Sequence, residues 1–124
     1  MKLWPFTSDP NQQFTVSLYG SDGVASDYIV DARFNERMND GAGGWTWDLT
    51  DGAGTVLLTS VPMVLSFNMF GPYGLGLGAL FAIDSSGQNV EPGPNPTNDL
   101  GDRVQVFWLD SNDAAVFAAA GGIL

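Results

Sequence analysis

A mainly β fold is predicted by three observations. Apolar and polar residues alternate with period two in several short runs, and turn residues separate these runs at close intervals. The 16 glycines and 7 prolines in 124 residues punctuate the chain too often for long helices. One domain is expected at this length. The prediction is a single small antiparallel β-sandwich or barrel-like domain over residues 1–110, with long Gly/Pro-rich loops and an apolar C-terminal tail over 111–124.

The first strand is expected at "QFTVSLY" (13–19), where Phe14, Val16 and Leu18 share a face opposite Thr15, Ser17 and Tyr19. "SDG" (21–23) reads as a turn. In "DYIVDARFN" (27–35), Tyr28, Val30, Ala32 and Phe34 oppose Ile29, Asp31 and Arg33. "NDGAGG" (39–44) turns the chain into "WTWDLT" (45–50), with Trp45, Trp47 and Leu49 on one face. "DGAG" (51–54) then leads into "TVLLTSV". Connections this short predict a meander of hairpins. "PMVLSFNMF" (62–70) fits a strand or a short helix, because Met63, Phe67 and Phe70 have helical spacing that Val64 and Leu65 blur. "ALFAID" (79–84) is nearly all apolar, as in a strand covered on both faces. A long loop over 85–102 precedes "RVQVFWL" (103–109), the last strand. The tail, "SNDAAVFAAAGGIL", is uncharged after Asp113 and reads as a frayed end or a strand-like segment packed on its own domain, or as a docking arm on a neighbouring subunit.

Composition removes several function classes. The formal net charge is −10, with only Lys2, Arg33, Arg37 and Arg103 positive. A nucleic-acid surface needs a basic footprint, and attachment to anionic lipid needs one too, so neither partner is expected. No cysteine and no histidine are present, which excludes disulfides, thiol nucleophiles, Cys/His zinc sites and Ser-His-Asp triads within the chain. "MKLWPFTSDP" does not read as a signal peptide, and prolines and glycines break the apolar stretch 56–78, so a soluble protein is expected.

Each remaining candidate for chemistry has a plainer structural reading. Asp84, Asn89, Glu91, Asn98, Asp99 and Asp102 offer oxygen ligands of the kind calcium takes, but their spacing is not that of an EF-hand, and "PNPTNDLGDRV" (94–104) has the residues any turn requires. Fourteen acidic residues make carboxylate pairs uninformative. Asp48 is the best single catalytic candidate, yet alternation puts it opposite the tryptophans, toward solvent. Trp45, Trp47 and Trp108 suggest either a sugar-stacking platform or, more simply, core. "GPYGLGLG" (71–78) lacks the lysine and spacing of a phosphate loop. No catalytic, cofactor or metal site is therefore predicted. Two readings remain alongside assembly: a carbohydrate-binding β-sandwich using exposed tryptophans, and a small enzyme using Asp48, Asp84, Asp99 or Asp102.

Three segments in order carry a resemblance. They are "PNQQFTVSLYG", with Asn11 and Phe14; "GGWTWDLTDGAGTVLLTSVPMV", with Trp45, Trp47, Asp48, Leu49, Asp51 and Gly54; and "NDLGDRVQVFWL", with Asp99, Leu100, Gly101, Arg103 and Val104. Over roughly residues 10 to 110 the chain resembles the small baseplate plug proteins of contractile-tailed bacteriophages. The segment around "NERMNDGAGG" is longer than that family leads one to expect, and the tail after Asp110 has no counterpart. The resemblance implies a structural protein of the virion tail baseplate, assembled in the host cytoplasm, with several copies in a ring or symmetric assembly. Its implied partners are hub, spike and tail-tube proteins, and it implies no cofactor. Phe117, Ile123, Leu124, Tyr73 and Leu75 are the expected interface residues. The loop before the last strand is expected to set where that strand starts, with Gly101 allowing the turn, Asp99 or Asn98 capping it, and Arg103 as an internal or interface partner.

Overall fold

The computed structural model describes residues 2–20, 22–37, 43–87, 92 and 99–113. Among these residues, seven strands form two antiparallel sheets. They are β1 (Lys2–Trp4), β2 (Asn11–Leu18), β3 (Ser26–Asn35), β4 (Gly44–Asp51), β5 (Val56–Pro62), β6 (Ala79–Asp84) and β7 (Val104–Leu109). One sheet has the order β2-β3-β4-β5, the meander expected from the short connections. The other has the order β1-β7-β6 and joins the two ends of the chain, pairing Leu3 with Phe107 and Phe81 with Phe107.

Alternation sets the faces. Val16 and Leu18 of β2, Val30 and Ala32 of β3, Trp45, Trp47 and Leu49 of β4, and Leu58 and Val61 of β5 turn inward. They meet Trp4, Leu80, Ala82, Val104, Val106 and Trp108 of the second sheet in one core, as in a sandwich. Trp4 is the centre of this core. Its ring lies 5.9–6.3 Å from those of Phe6, Phe14, Trp47 and Phe70, mostly edge to face. Trp108 meets Tyr19 edge to face at 5.0 Å and donates its Nε1–H to the Leu77 carbonyl at 2.6 Å.

Three readings of the sequence are corrected. β1 was missed: three residues before Pro5 are too few to show a period, and the pairing partner lies about a hundred residues away in sequence. Residues 63–70 are neither strand nor helix. Leu65 makes a single parallel bridge to Ala82, and Ser66 sits at φ +55°, so the chain crosses the edge of β6 as an irregular strap. The strands drawn at 13–19 and 103–109 run instead from Asn11 to Leu18 and from Val104 to Leu109. The tail from residue 114, with Phe117, Ile123 and Leu124, lies outside the described residues, as do Asn89, Glu91 and Asn98.

Candidate assembly interface

The polar residues singled out from sequence make hydrogen bonds within the fold. Asp51 opens the β4–β5 turn: its Oδ1 accepts from the N–H groups of Ala53 and Thr55, at 3.0 and 2.9 Å, and Gly54 supplies the left-handed residue at φ +90°. Asn11 begins β2 opposite Arg33 and donates its N–H to Asp9 Oδ1. Phe14 packs edge to face on Phe6 at 4.9 Å.

The stretch before β7 folds as a tight turn. The Asp99 carbonyl accepts from the N–H of Val104 at 2.8 Å and of Asp102 at 3.3 Å, and Gly101 N–H donates to the Val104 carbonyl at 2.7 Å. Gly101 has φ +89°, and a Cβ there would overlap the Phe6 carbonyl oxygen. This turn thus presses against the segment that links β1 to β2, leaving room only for glycine. Arg103 reaches back to Asp84 at 2.6 Å and, more weakly, to Asp99 at 3.4 Å. The Asp84 side chain is 1% exposed. Its other oxygen accepts from the Ser86 N–H and hydroxyl, at 2.9 and 2.7 Å. Arg103 is therefore an internal partner.

Asp48 stands on the outer face of the four-stranded sheet, opposite the tryptophans, but it is not left to solvent. Arg33 contacts both of its oxygens at 3.0 and 3.2 Å, and Ser60 N–H donates to Oδ1 at 2.6 Å. Burial opposes the charged form of Asp48, but the hydrogen bonds from Arg33 and Ser60 outweigh it and hold the carboxyl below its usual range. A general acid needs the opposite shift. Near the end of β7, the Tyr19 hydroxyl donates to Asp110 at 2.5 Å, which raises the hydroxyl's pKa and lowers the carboxyl's. Among the described residues, no three acidic groups converge to hold a metal ion.

All four tryptophans are buried, at 0–3% exposure, so no tryptophan face stands at the surface for a sugar to stack on. Sequence already showed Trp45 and Trp47 on one face. That this face is inward follows only from the second sheet, which β1 completes.

Among the described residues, three of the seven exposed large apolar side chains, Val64, Phe67 and Tyr73, gather in one place, while Leu3, Val24, Val56 and Ile83 are not part of that group. The strap and the 3-10 turn that follows it (Gly71–Tyr73) line a small apolar depression of about 40 Å³ with Val64, Phe67, Pro72 and Tyr73. Phe67 is 47% exposed and Tyr73 43%. Of the two interface candidates in this region, Tyr73 belongs to this patch. Leu75 does not: it is partly buried on the core and borders a separate groove with Tyr19, Val24 and Tyr28. Phe67 is not among the interface residues expected from sequence, where it shares only a blurred helical spacing with Met63 and Phe70. Met63 and Phe70 are buried, while Phe67 follows the left-handed Ser66 and is turned outward.

A family model described as "Cyanophage baseplate Pam3 plug gp18" matches residues 1–112. The chain belongs to that family. The match begins with β1 and ends just after β7, so it takes in both sheets and the strap. Membership in the plug family places the protein among virion tail baseplate components, which associate with other baseplate proteins. No curated protein matches the chain.

Proposed function

We propose that this protein is the structural plug at the centre of a contractile phage tail baseplate, where it packs against hub, spike or tail-tube proteins and performs no chemistry. The family match together with the Val64–Phe67–Tyr73 patch supports this reading. A plug needs a stiff domain and a surface that gains by being covered. The aromatic core between the sheets provides stiffness, and the strap turns apolar side chains outward. A stable contact covers about 800 Å² per partner. The patch is thus the centre of a larger footprint, to which Leu75 and the terminal segment 111–124, with Phe117, Ile123 and Leu124, contribute. Several copies around the tail axis, assembled in the host cytoplasm, fit a rotationally symmetric tail.

The test is Phe67→Asp in the phage. The side chain is half exposed, so the isolated protein is expected to melt within a degree or two of wild type while its incorporation into particles falls. Undiminished incorporation would refute this placement of the interface. Deleting residues 111–124 is expected to act likewise; a large loss of monomer stability would put that segment in the protein's own core.

A further inference from the structure

The two sheets have four edge strands, and three are closed by visible devices. β1 is three residues long and runs into Pro5. β6 is covered by the strap, where Ser66 N–H donates to the Ala82 carbonyl and Met69 N–H to the Leu80 carbonyl, both at 2.8 Å. β5 is bent by register shifts against β4, carries Ser60 at φ +52° and ends at Pro62. These are the usual ways of preventing a sheet edge from recruiting another strand. Among the described residues, β2 has none of them. It is eight residues long, pairs with β3 without a bulge, and contains no proline and no charge.

Its free hydrogen-bonding groups follow from the ladder. Phe34 N–H donates to the Pro10 carbonyl, so residues 10 and 34 form a hydrogen-bonded pair. Alternation makes 12–32, 14–30, 16–28 and 18–26 the other bonded pairs. The main-chain N–H and C=O groups of Gln13, Thr15 and Ser17 therefore point away from β3, and no other described group bonds them. All three residues are exposed. The edge presents three donors and three acceptors in register for an added strand.

Charge decides what fits there. Asp9 precedes β2, Asp22 lies beyond its far end, and Asp27 and Asp31 stand beside it on β3 opposite Ser17 and Gln13, with Asp31 accepting from Gln13 Nε2 at 2.8 Å. Arg33 is bound to Asp48, Glu36 offsets Arg37 past the end of β3, and Lys2 belongs to the other sheet. A second copy would set these carboxylates against their own kind.

We infer that the free edge of β2 takes an extended segment of a partner protein carrying lysine or arginine at alternate positions. The segment pairs main chain to main chain with Gln13, Thr15 and Ser17 and sends its cations over the outer face toward Asp31. That face carries a shallow groove of about 410 Å³ between Gln13, Asp31, Arg33 and Asp48, which receives such side chains. Adjacent strands lie about 4.8 Å apart, so a lysine on the added strand leans across one strand to reach Asp31. This inference concerns a different surface and recognition mode from the apolar patch and stands without it.

The experiment uses the full chain and a capped peptide of alternating valine and lysine. Amide hydrogen exchange at Gln13, Thr15 and Ser17 is expected to slow about tenfold or more at saturating peptide, while the already bonded amides of Phe14 and Val16 change little. Thr15→Pro removes an outward N–H but no bond to β3, so the folded variant is expected to lose the peptide, whereas Thr15→Ala keeps it. A peptide with glutamate in place of lysine is expected not to bind. Unchanged exchange at the three amides overturns the inference whatever the variants do. So does equal peptide affinity in Thr15→Pro, which would leave only diffuse charge attraction. Protection of the same amides in the protein alone, rising with its concentration, would assign the edge to a second copy and also overturn it.

Discussion

Replacing Arg103 by methionine tests how the turn before β7 is held. The guanidinium lies 2.6 Å from Asp84, whose side chain is 1% exposed, while Arg103 itself is 22% exposed. Removing one partner of a buried ion pair costs about 3–5 kcal/mol, because the other charge stays desolvated. The partial exposure of Arg103 and the two bonds from Ser86 put this case at the lower end, about 3 kcal/mol. Asp84→Asn keeps the side-chain volume and one acceptor for Ser86, and leaves the arginine with Asp99, so about 1–2 kcal/mol is expected. Asp99→Asn weakens two 3.4 Å contacts to a carboxylate that is 24% exposed, worth at most about 1 kcal/mol. Urea unfolding separates the three. With a slope of about 2 kcal/mol/M, Arg103→Met lowers the midpoint by about 1.5 M. A loss below about 1 kcal/mol for Arg103→Met, or equal losses for Arg103→Met and Asp99→Asn, would refute the assignment of Asp84 as the buried partner that matters.

Three other expectations follow from the same geometry. Gly101→Ala places a methyl group against the Phe6 carbonyl at a φ that only glycine adopts easily, so a cost of about 2–4 kcal/mol is expected by urea unfolding; a neutral result would mean the turn does not press on the β1–β2 link. The folded-state pKa of Asp48 is depressed, so its ion pair contributes stability that is present above the unfolded carboxylate value of about 4 and is lost as pH falls through the lower folded value. The stability gap between wild type and Arg33→Gln is therefore expected to close over that acidic window, and a gap unchanged down to about pH 2 would contradict it. Tryptophan emission of the native protein is expected to be blue-shifted, resistant to iodide quenching and insensitive to glycans, since all four rings are buried; a red-shifted, quenchable signal would contradict the packing of Trp4 between the sheets.

Much of the four-stranded sheet was legible because its signals are local. Alternation in 13–19, 27–35 and 45–50 marks the strands, and Asp51 with Gly54 marks a hairpin turn whose hydrogen bonds lie within five residues. The second sheet was less legible because it is built from pairings distant in sequence. β1 has no period of its own and is a strand only because β7 pairs with it. Asp48 shows a similar limit at the level of a side chain. Alternation gave its face correctly, but its partner Arg33 lies diagonally across the strand pair, since Arg33 sits opposite Thr46, and neither register nor diagonal can be read from one strand. The strap was misread for a further reason. Its apolar residues serve two opposite purposes, Met63 and Phe70 inward and Phe67 outward, and the reversal depends on Ser66 adopting a left-handed backbone that its residue type does not announce.

The central claim is that the protein is a built-in part of the tail baseplate. Quantitative mass spectrometry of purified virions from a phage encoding this chain tests it most directly. A plug built into the tail is expected in intact particles at a fixed, small ratio to the tail proteins. Its absence from particles, despite abundance in infected lysate, would contradict the account.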